Sequence, residues 1–226
     1  MSGDTREPEK TPPLALHIAA PLAALLVDVA LAVVAPDPQL VWYVIRASGI
    51  VAYVMLALCV LAGLSISGKA LPSGRPRVDA YELHSFAALL ILGFSTVHGV
   101  ALLLDGYIGF TVVQVLVPFT SSFRPLAVAL GIVGFYLAAV VYGSFWARKY
   151  IGYKGWRRLH YASFGAFVLA AAHGVTSGSD SGQAWMIAIY VSTLAAVLGM
   201  LAYRIAGALS RGPKHPANSR PAAEAA

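Results

Sequence analysis

Six long apolar segments limit what this chain can fold into. Each contains roughly 20 or more mostly apolar residues, the length that a helix needs to cross the hydrocarbon core of a bilayer. The segments are residues 14–35, 40–67, 82–104, 126–147, 157–176 and 184–206. The strict alternation of apolar and polar residues that membrane barrel strands show is absent, so helices are the only plausible spanning form. The sequence therefore predicts an all-α integral membrane protein, a six-helix bundle.

The segments outside the spans are short and polar. Residues 1–13 contain proline and charged residues and are expected to form a disordered cytoplasmic N-terminus. They do not form the basic region of a cleavable signal, so the first span is expected to remain in the mature protein. Residues 14–206 are predicted to form one membrane domain. Residues 207–226 form a cytoplasmic tail that is too short to hold a folded domain.

The basic residues indicate how the bundle is oriented. Fourteen of the sixteen Lys and Arg residues lie on one predicted side: Arg6, Lys10, Lys69, Arg75, Arg77, Arg148, Lys149, Lys154, Arg157, Arg158, Arg204, Arg211, Lys214 and Arg220. By the positive-inside rule, this side and both termini are cytoplasmic, and the location is the cytoplasmic membrane. The net charge of +6 therefore reflects topology among membrane lipids and not a nucleic-acid surface.

Spans 3 and 5 each contain two histidines, His84 with His98 and His160 with His173. Both spans run outward from the cytoplasm, so each helix offers one imidazole near the inner face and one near the outer face. The two depths differ by about 21 Å in span 3 and about 20 Å in span 5, at a rise of about 1.5 Å per residue. One histidine from each of two helices, at two depths, is the arrangement that two stacked bis-histidine haems require.

The angle between the two histidines about the helix axis differs between spans 3 and 5. Fourteen residues leave His84 and His98 only about 40° apart, whereas thirteen leave His160 and His173 about 140° apart. Span 5 must twist, bend or tilt, or meet the two haems from different sides, and the sequence leaves these options open. Gly93 and Gly165 lie between the histidines of their spans, where porphyrin edges would need room.

Two other interpretations of the histidines were weighed. They could be core residues that bond to neighbouring helices, but four of them at paired depths make this unfavourable, because unpaired buried polar groups are costly. They could line a metal-transport path, which usually includes carboxylates. Spans 3 and 5 have none at mid-membrane.

The segments that carry these residues resemble the ferric reductase-like transmembrane domain family. The similarity lies in the spacings His-x13-His and His-x12-His, in "GWRRLHYASFGAFVLAAAHG" and in "VIRASGIVAYVMLALCVLAGLSIS". The family includes NADPH oxidases, ferric reductases and the haem subunit of the bacterial methionine sulfoxide reductase system. The resemblance implies two b-type haems, an inner one between His84 and His160 and an outer one between His98 and His173.

The resemblance also implies partners for the haem propionates. Arg46 would face the outer haem, and its position in span 2 puts it near the depth of His98. An intramembrane arginine needs a counter-charge, and Asp28 in span 1 is a competing partner at similar depth. The two pairings could coexist. The inner haem has three candidate cations, whose alternative role is plain positive-inside topology: Lys69, Arg157 and Arg158.

Two positions separate the chain from particular branches of this family. Oxidases tend to have a further histidine where this chain has Leu102, which argues against dedicated superoxide production. The sulfoxide-reductase haem subunit generally lacks the first histidine of span 3, whereas His84 is present.

No Gly-rich dinucleotide fingerprint occurs in the sequence. Electrons are therefore expected from a separate cytoplasmic flavoprotein or from quinol.

The predicted function is outward electron transfer, without a catalytic residue of its own, to a ferric chelate, oxygen or a partner protein. A quinol-linked cytochrome b subunit, a haem subunit that serves a periplasmic reductase, and a haem-free transporter are the alternatives. Residues 105–125 are predicted to cover the outer haem or to form an ordinary interfacial helix. Phe94, Phe164 and Phe167 lie between the two depths, where they could bridge the haems or simply pack in the core.

Overall fold

The computed structural model describes residues 37–68 and 77–210 and contains no strand within these ranges. The helices are α1 (Pro38–Gly68), α2 (Arg77–Leu102), α3 (Val112–Leu116), α4 (Pro125–His160), α5 (Ala162–Ser177) and α6 (Ala184–Leu209). The predicted span 14–35 with Asp28, both chain ends and Lys69 lie outside the described residues. The predicted all-helical class is confirmed for the part that is described.

Four helical stretches in the described part are long and apolar enough to cross a membrane: Pro38–Ser67, Ala80–Leu102, Pro125–Ser177 and Ala184–Leu209. The third stretch contains two predicted spans, 126–147 and 157–176. Gly152 interrupts α4 between them with a non-helical backbone (φ 69°, ψ 166°). The membrane character is therefore confirmed, while the count of six spans and the side of the termini stay predictions.

The helices pack as two adjacent pairs. α1 packs along α2, and α4 packs along α5; α1 also contacts α5 and α6, and α2 contacts α4. The largest buried cluster joins α1, α2, α5 and α6. At its centre Phe167, which is 2% exposed, stacks on Tyr53 with ring centroids 5.9 Å apart. α2, which carries His84 and His98, and α5, which carries His173, are thus held around a packed core that includes one of the predicted bridging phenylalanines.

A tightened turn separates α4 from α5 directly after His160. The Tyr161 N–H donates to the Arg158 carbonyl at 3.3 Å, and the Phe164 N–H donates to the Tyr161 carbonyl at 3.1 Å. Such i to i+3 bonds turn the chain by about 120° per residue, compared with about 100° in an α-helix. The tightened turn therefore adds rotation between His160 and α5, in the direction that the thirteen-residue spacing requires.

The segment 105–125 contains a short helix, α3. Its capping box joins the two ends of the first turn, with the Gln114 N–H donating to Thr111 Oγ1 at 3.3 Å and the Thr111 N–H donating to Gln114 Oε1 at 3.0 Å. None of the residues in α3 is buried within the protein. The segment is therefore ordered by its own hydrogen bonds and not by the core.

We predict that Gly152→Ala destabilises the protein by about 1–3 kcal/mol, because its backbone lies in a region that is essentially restricted to glycine. The thermal unfolding midpoint in detergent should fall by roughly 2–4 °C for each kcal/mol. Gly155→Ala is the matched control, since it lies in the helical segment after the break and its added Cβ would meet nothing closer than 3.5 Å. Equal midpoints for the two variants would contradict the assigned backbone strain.

Candidate functional site: two histidine pairs

The structure brings the four intramembrane histidines together as two pairs. The ring centroids of His84 and His160 are 6.0 Å apart, and those of His98 and His173 are 6.2 Å apart. Two imidazoles that bind one metal ion from opposite sides, with metal–nitrogen distances of about 2 Å, have ring centres roughly 6 Å apart. Nowhere in the described ranges do three or more His, Cys, Asp or Glu side chains gather to hold a bare metal ion. Each pair therefore has the ring spacing of two histidines that bind one metal ion.

Three of the four histidines bond through Nδ1 to a backbone carbonyl of the neighbouring helix. The bonds are His98 to Ile45 at 2.9 Å, His173 to Ala127 at 2.8 Å and His84 to Cys59 at 3.0 Å. A carbonyl oxygen can only accept, so Nδ1 must carry the proton in each case. Nε2 then holds the lone pair, which is the state that binds a metal ion, and the ring is fixed in orientation.

A glycine lies four residues after each accepting carbonyl, against the same ring. An added Cβ would lie 3.0 Å from His98 Nδ1 at Gly49, 3.2 Å from His84 Cε1 at Gly63 and 2.7 Å from His173 Nδ1 at Gly131. We call each carbonyl with its glycine (Ile45 with Gly49, Cys59 with Gly63, Ala127 with Gly131) a carbonyl–glycine site. The absence of a side chain lets the imidazole approach the helix backbone closely enough for the hydrogen bond.

These glycines were not among the residues predicted from the sequence, although a signal was present. Gly49 and Gly63 are fourteen residues apart, the same spacing as His84 and His98 on the antiparallel helix. Of the predicted glycines, Gly165 permits close packing of α5 on α4, since its Cβ would lie 3.2 Å from Leu137 Cδ2. Gly93 is half-buried in α2.

His160 is held differently from the other three histidines. Its Nδ1 is buried and has no hydrogen-bond partner among the residues that the structure describes. The Trp156 ring stacks on the imidazole with centroids 5.0 Å apart and an interplanar angle of 30°. This ligand candidate is therefore positioned by ring stacking and not by a backbone carbonyl.

Arg46 is paired with Asp180, an acceptor that the sequence interpretation did not include. The guanidinium donates from Nε and NH2 to the two carboxylate oxygens, both at 2.6 Å. It also lies over the Trp42 ring, 4.0 Å from its centroid. Asp180 is the only acidic residue between α5 and α6, which was the available signal. Arg46 follows Ile45, whose carbonyl bonds His98, and Arg46 and His98 line the same cavity.

Two of the three cations predicted near the inner haem lie within the described residues. Arg157 and Arg158 are exposed in the last turn before His160. The Arg157 Nε–H donates to the Tyr161 hydroxyl at 3.1 Å. Lys69 lies outside the described residues. Neither arginine is in contact with a carboxylate in the described part of the chain, so both remain candidates for binding an anionic group.

A cavity of about 1630 Å³ contains the outer histidine pair. His98, His173, Arg46 and Asp180 line it, together with side chains of the 105–125 segment such as Val115. Pockets for organic ligands commonly have volumes of about 300–1,000 Å³, so the cavity has room for a large planar cofactor. Side chains of α3, such as Val115, thus line the cavity at the outer pair.

Arg124 is a second cation at this cavity that sequence analysis did not single out. It precedes α4 with a left-handed backbone (φ 41°), and its NH1 donates to the Thr176 carbonyl at 2.6 Å near the end of α5. This bond ties the start of α4 to the helix end that carries His173. It therefore stabilises the outer ends of the two helices against each other.

Comparison with known families gives one match. Residues 48–171 match the family described as "Ferric reductase like transmembrane component". The matched range covers more than half of the 226 residues, includes His84, His98 and His160, and ends two residues before His173. No curated protein and no solved structure matches the chain.

We predict that Arg46 and Asp180 are energetically coupled. Arg46→Gln or Asp180→Asn alone leaves a partly buried charge without its partner, and each should destabilise the protein. The loss of unfolding free energy in the double variant should be smaller than the sum of the two single losses by about 1–3 kcal/mol. A double-mutant cycle of unfolding in detergent measures this coupling, and strict additivity would show that the contact contributes nothing.

Proposed function

The chain belongs to the ferric reductase-like transmembrane family, and from this membership we propose that it carries electrons across the cytoplasmic membrane through two b-type haems. His84 and His160 hold the inner haem, and His98 and His173 hold the outer one. The observation that carries the proposal is the presence of two imidazole pairs with ring centroids 6.0 and 6.2 Å apart. Three of these rings also have the Nδ1–H bond that a ligating histidine typically makes.

Haem would supply a one-electron carrier, and the four imidazoles of His84, His160, His98 and His173 would hold it. The protein's own residues contribute position and environment. The carbonyl–glycine sites keep Nε2 unprotonated and directed away from the neighbouring helix. The packed residues between the two depths, including Phe167 and Tyr53, exclude water from the space between the pairs.

Arg46 can serve a propionate of the outer haem while it stays paired with Asp180. The carboxylate uses only the edge formed by Nε and NH2. A guanidinium has five N–H donors, so the NH1 group remains available for a second anion. The Arg46–Asp180 pair therefore leaves room for a propionate, while the predicted pairing of Arg46 with Asp28 lies outside the described residues.

The electron donor is proposed to be a separate cytoplasmic flavoprotein or quinol. A group of exposed basic residues surrounds the break in α4 near the inner pair: Arg148, Lys149, Lys154, Arg157 and Arg158. Their charge supports a cytoplasmic location for this end and attraction of an acidic donor. The acceptor is proposed to be extracytoplasmic and to approach through the cavity at the outer pair.

We predict two haems per chain, with low-spin spectra in both oxidation states. His98→Ala or His173→Ala should remove mainly the outer haem, and His84→Ala or His160→Ala mainly the inner one, because each iron loses one of its two protein ligands. Haem quantification per purified chain, with reduced and oxidised absorption spectra, measures this. His215→Ala, in the C-terminal tail, is the control and should keep both haems. A purified chain without haem would refute the proposal.

We also predict that substitutions of the two salt-bridge residues, Arg46 and Asp180, shift the reduction potential of the outer haem in opposite directions. Arg46→Gln removes a positive charge and should lower the potential, since a cation favours the more electron-rich ferrous state. Asp180→Asn removes a negative charge and should raise it. Each shift should be on the order of tens of millivolts for one charge at an effective dielectric constant of about 20. Redox titration resolves the two haems, and shifts of the same sign would argue against Arg46 beside the outer haem.

A further inference from the structure

Two arginines of the outer cavity are bound to the same short segment, which begins three residues after His173. Arg46 on α1 donates to both carboxylate oxygens of Asp180, at 2.6 Å. Arg124, which precedes α4, donates from NH1 to the Thr176 carbonyl, also at 2.6 Å. Both arginine side chains line the cavity that contains the outer histidine pair. Two guanidinium groups from separate helices therefore converge on the chain at the end of α5.

Contacts on both helices place Arg124 beside His173. The Ala127 carbonyl, three residues after Arg124, bonds His173 Nδ1 at 2.8 Å. Thr176, whose carbonyl accepts from Arg124, lies three residues after His173, which is about one helical turn further along α5. The Arg124 guanidinium is therefore held about one turn beyond the His173 ring, toward the end of α5.

Arg46 has a similar relation to the other ring of the outer pair. The carbonyl of its neighbour Ile45 bonds His98 Nδ1 at 2.9 Å. The His98 and His173 ring centroids are 6.2 Å apart. Each ring of the outer pair thus has one arginine within three residues of the carbonyl that holds it.

The bonds that are already made leave donors free on both guanidinium groups. The Asp180 carboxylate uses Nε and NH2 of Arg46, so NH1 stays available. The Thr176 carbonyl uses only NH1 of Arg124. The edge formed by Nε and NH2 of Arg124 therefore stays available, and such an edge suits bidentate binding of a carboxylate.

The acidic residues that line the cavity leave Arg124 without a bound counter-ion. Asp180 pairs with Arg46. Asp105 also lines the cavity, but it accepts from backbone N–H groups of its own turn, at 3.2 and 3.3 Å. In the part of the chain that the structure describes, no carboxylate contacts Arg124. Its charge therefore favours an anion that enters this cavity.

The backbone of Arg124 gives an independent indication of a binding role. Its φ of 41° lies in the left-handed region, which is unfavourable for a residue with a long side chain. Residues in such conformations cluster at ligand sites, where the surrounding structure holds them. Here the Thr176 bond and the start of α4 at Pro125 hold the residue in place.

We propose that Arg124 binds one propionate of the outer haem, while Arg46 binds the other. The inference rests on the proposed function, because it assigns the second anionic contact of that haem. A b-type haem has two propionates on the same side of the porphyrin. Two arginines that converge on one segment match such a pair of carboxylates. The outer haem is thereby oriented within its plane, with both propionates toward the end of α5.

Resonance Raman spectra of the purified holoprotein test this proposal, since the bending modes of haem propionates respond to their hydrogen bonds. Arg124→Gln removes the charge, and its amide can still donate to the Thr176 carbonyl. We expect the propionate mode of the outer haem to shift and its reduction potential to fall. Transfer of the outer haem to apomyoglobin should become roughly 10-fold faster, because a charged hydrogen bond is lost. The inner haem should be unchanged in all three measurements, and His98→Ala identifies the outer haem's modes by their loss.

Two further variants separate binding from charge and from folding. Asp105→Asn removes a charge that lines the same cavity, so it should raise the outer potential without moving the propionate mode or the rate of haem transfer. Arg124→Lys keeps the charge but not the planar fork of donors. Its potential should therefore stay close to that of the wild type, while the propionate mode still shifts. If Arg124→Gln does not accumulate, the mode in Arg124→Lys decides the matter.

Unchanged propionate modes in the Arg124 variants would overturn the inference and leave this residue only its contact between α4 and α5. With two haems bound, the proposed function would still stand. The inference would also be wrong if added citrate perturbed the outer haem of the wild type but not of Arg124→Gln, with the propionate mode unchanged, since the guanidinium would then bind a free anion. Wild-type protein without haem would instead refute the proposed function, and the inference with it.

Discussion

The hydrogen bond from a histidine ring to a backbone carbonyl of the next helix is the interaction on which this structure depends. Inside a bilayer no water can satisfy a buried imidazole N–H, so a protein acceptor is needed. A helix carbonyl already accepts one bond from its own helix, but its second lone pair remains available. Glycine four residues later lets the ring reach that lone pair. One contact therefore satisfies a polar group, selects the tautomer and sets how closely two helices approach.

The same contacts explain why the outer pair and its surroundings form one unit. Ile45 bonds His98, and its neighbour Arg46 binds Asp180, which follows the helix that carries His173. Arg124 joins the start of α4 to the end of that helix. Charge is balanced locally between Arg46 and Asp180, as an arginine at membrane depth requires. The cavity at the outer pair is thus bounded by connected polar contacts within otherwise apolar walls.

The two helix pairs are similar but not equivalent. α1 and α2 repeat their contacts after fourteen residues, which is four turns of helix within about 40°. On α4 and α5, His160 and His173 are thirteen residues apart, and the tightened turn at Tyr161 adds rotation between them. That irregularity falls directly beside His160. The inner pair therefore combines one firmly oriented imidazole, His84, with one that is held mainly by stacking on Trp156.

The sequence by itself determined the helical membrane class and the spacing of the histidines along the chain, and it predicted the depths of the histidines and of Arg46, because length, hydropathy and a fixed rise per residue are properties of single helices. Gly152 and Tyr161, where α4 breaks and α5 begins, were not predicted, since glycine and aromatic residues are common throughout the spans. Only the tertiary structure decided the partners: Asp180 for Arg46, the carbonyls of Ile45, Cys59 and Ala127 for three histidines, and no acceptor for His160 within the described residues. The physical reason is that these membrane helices are apolar on every side, so their sequences carry little information about rotation. Which faces meet is fixed by packing between helices.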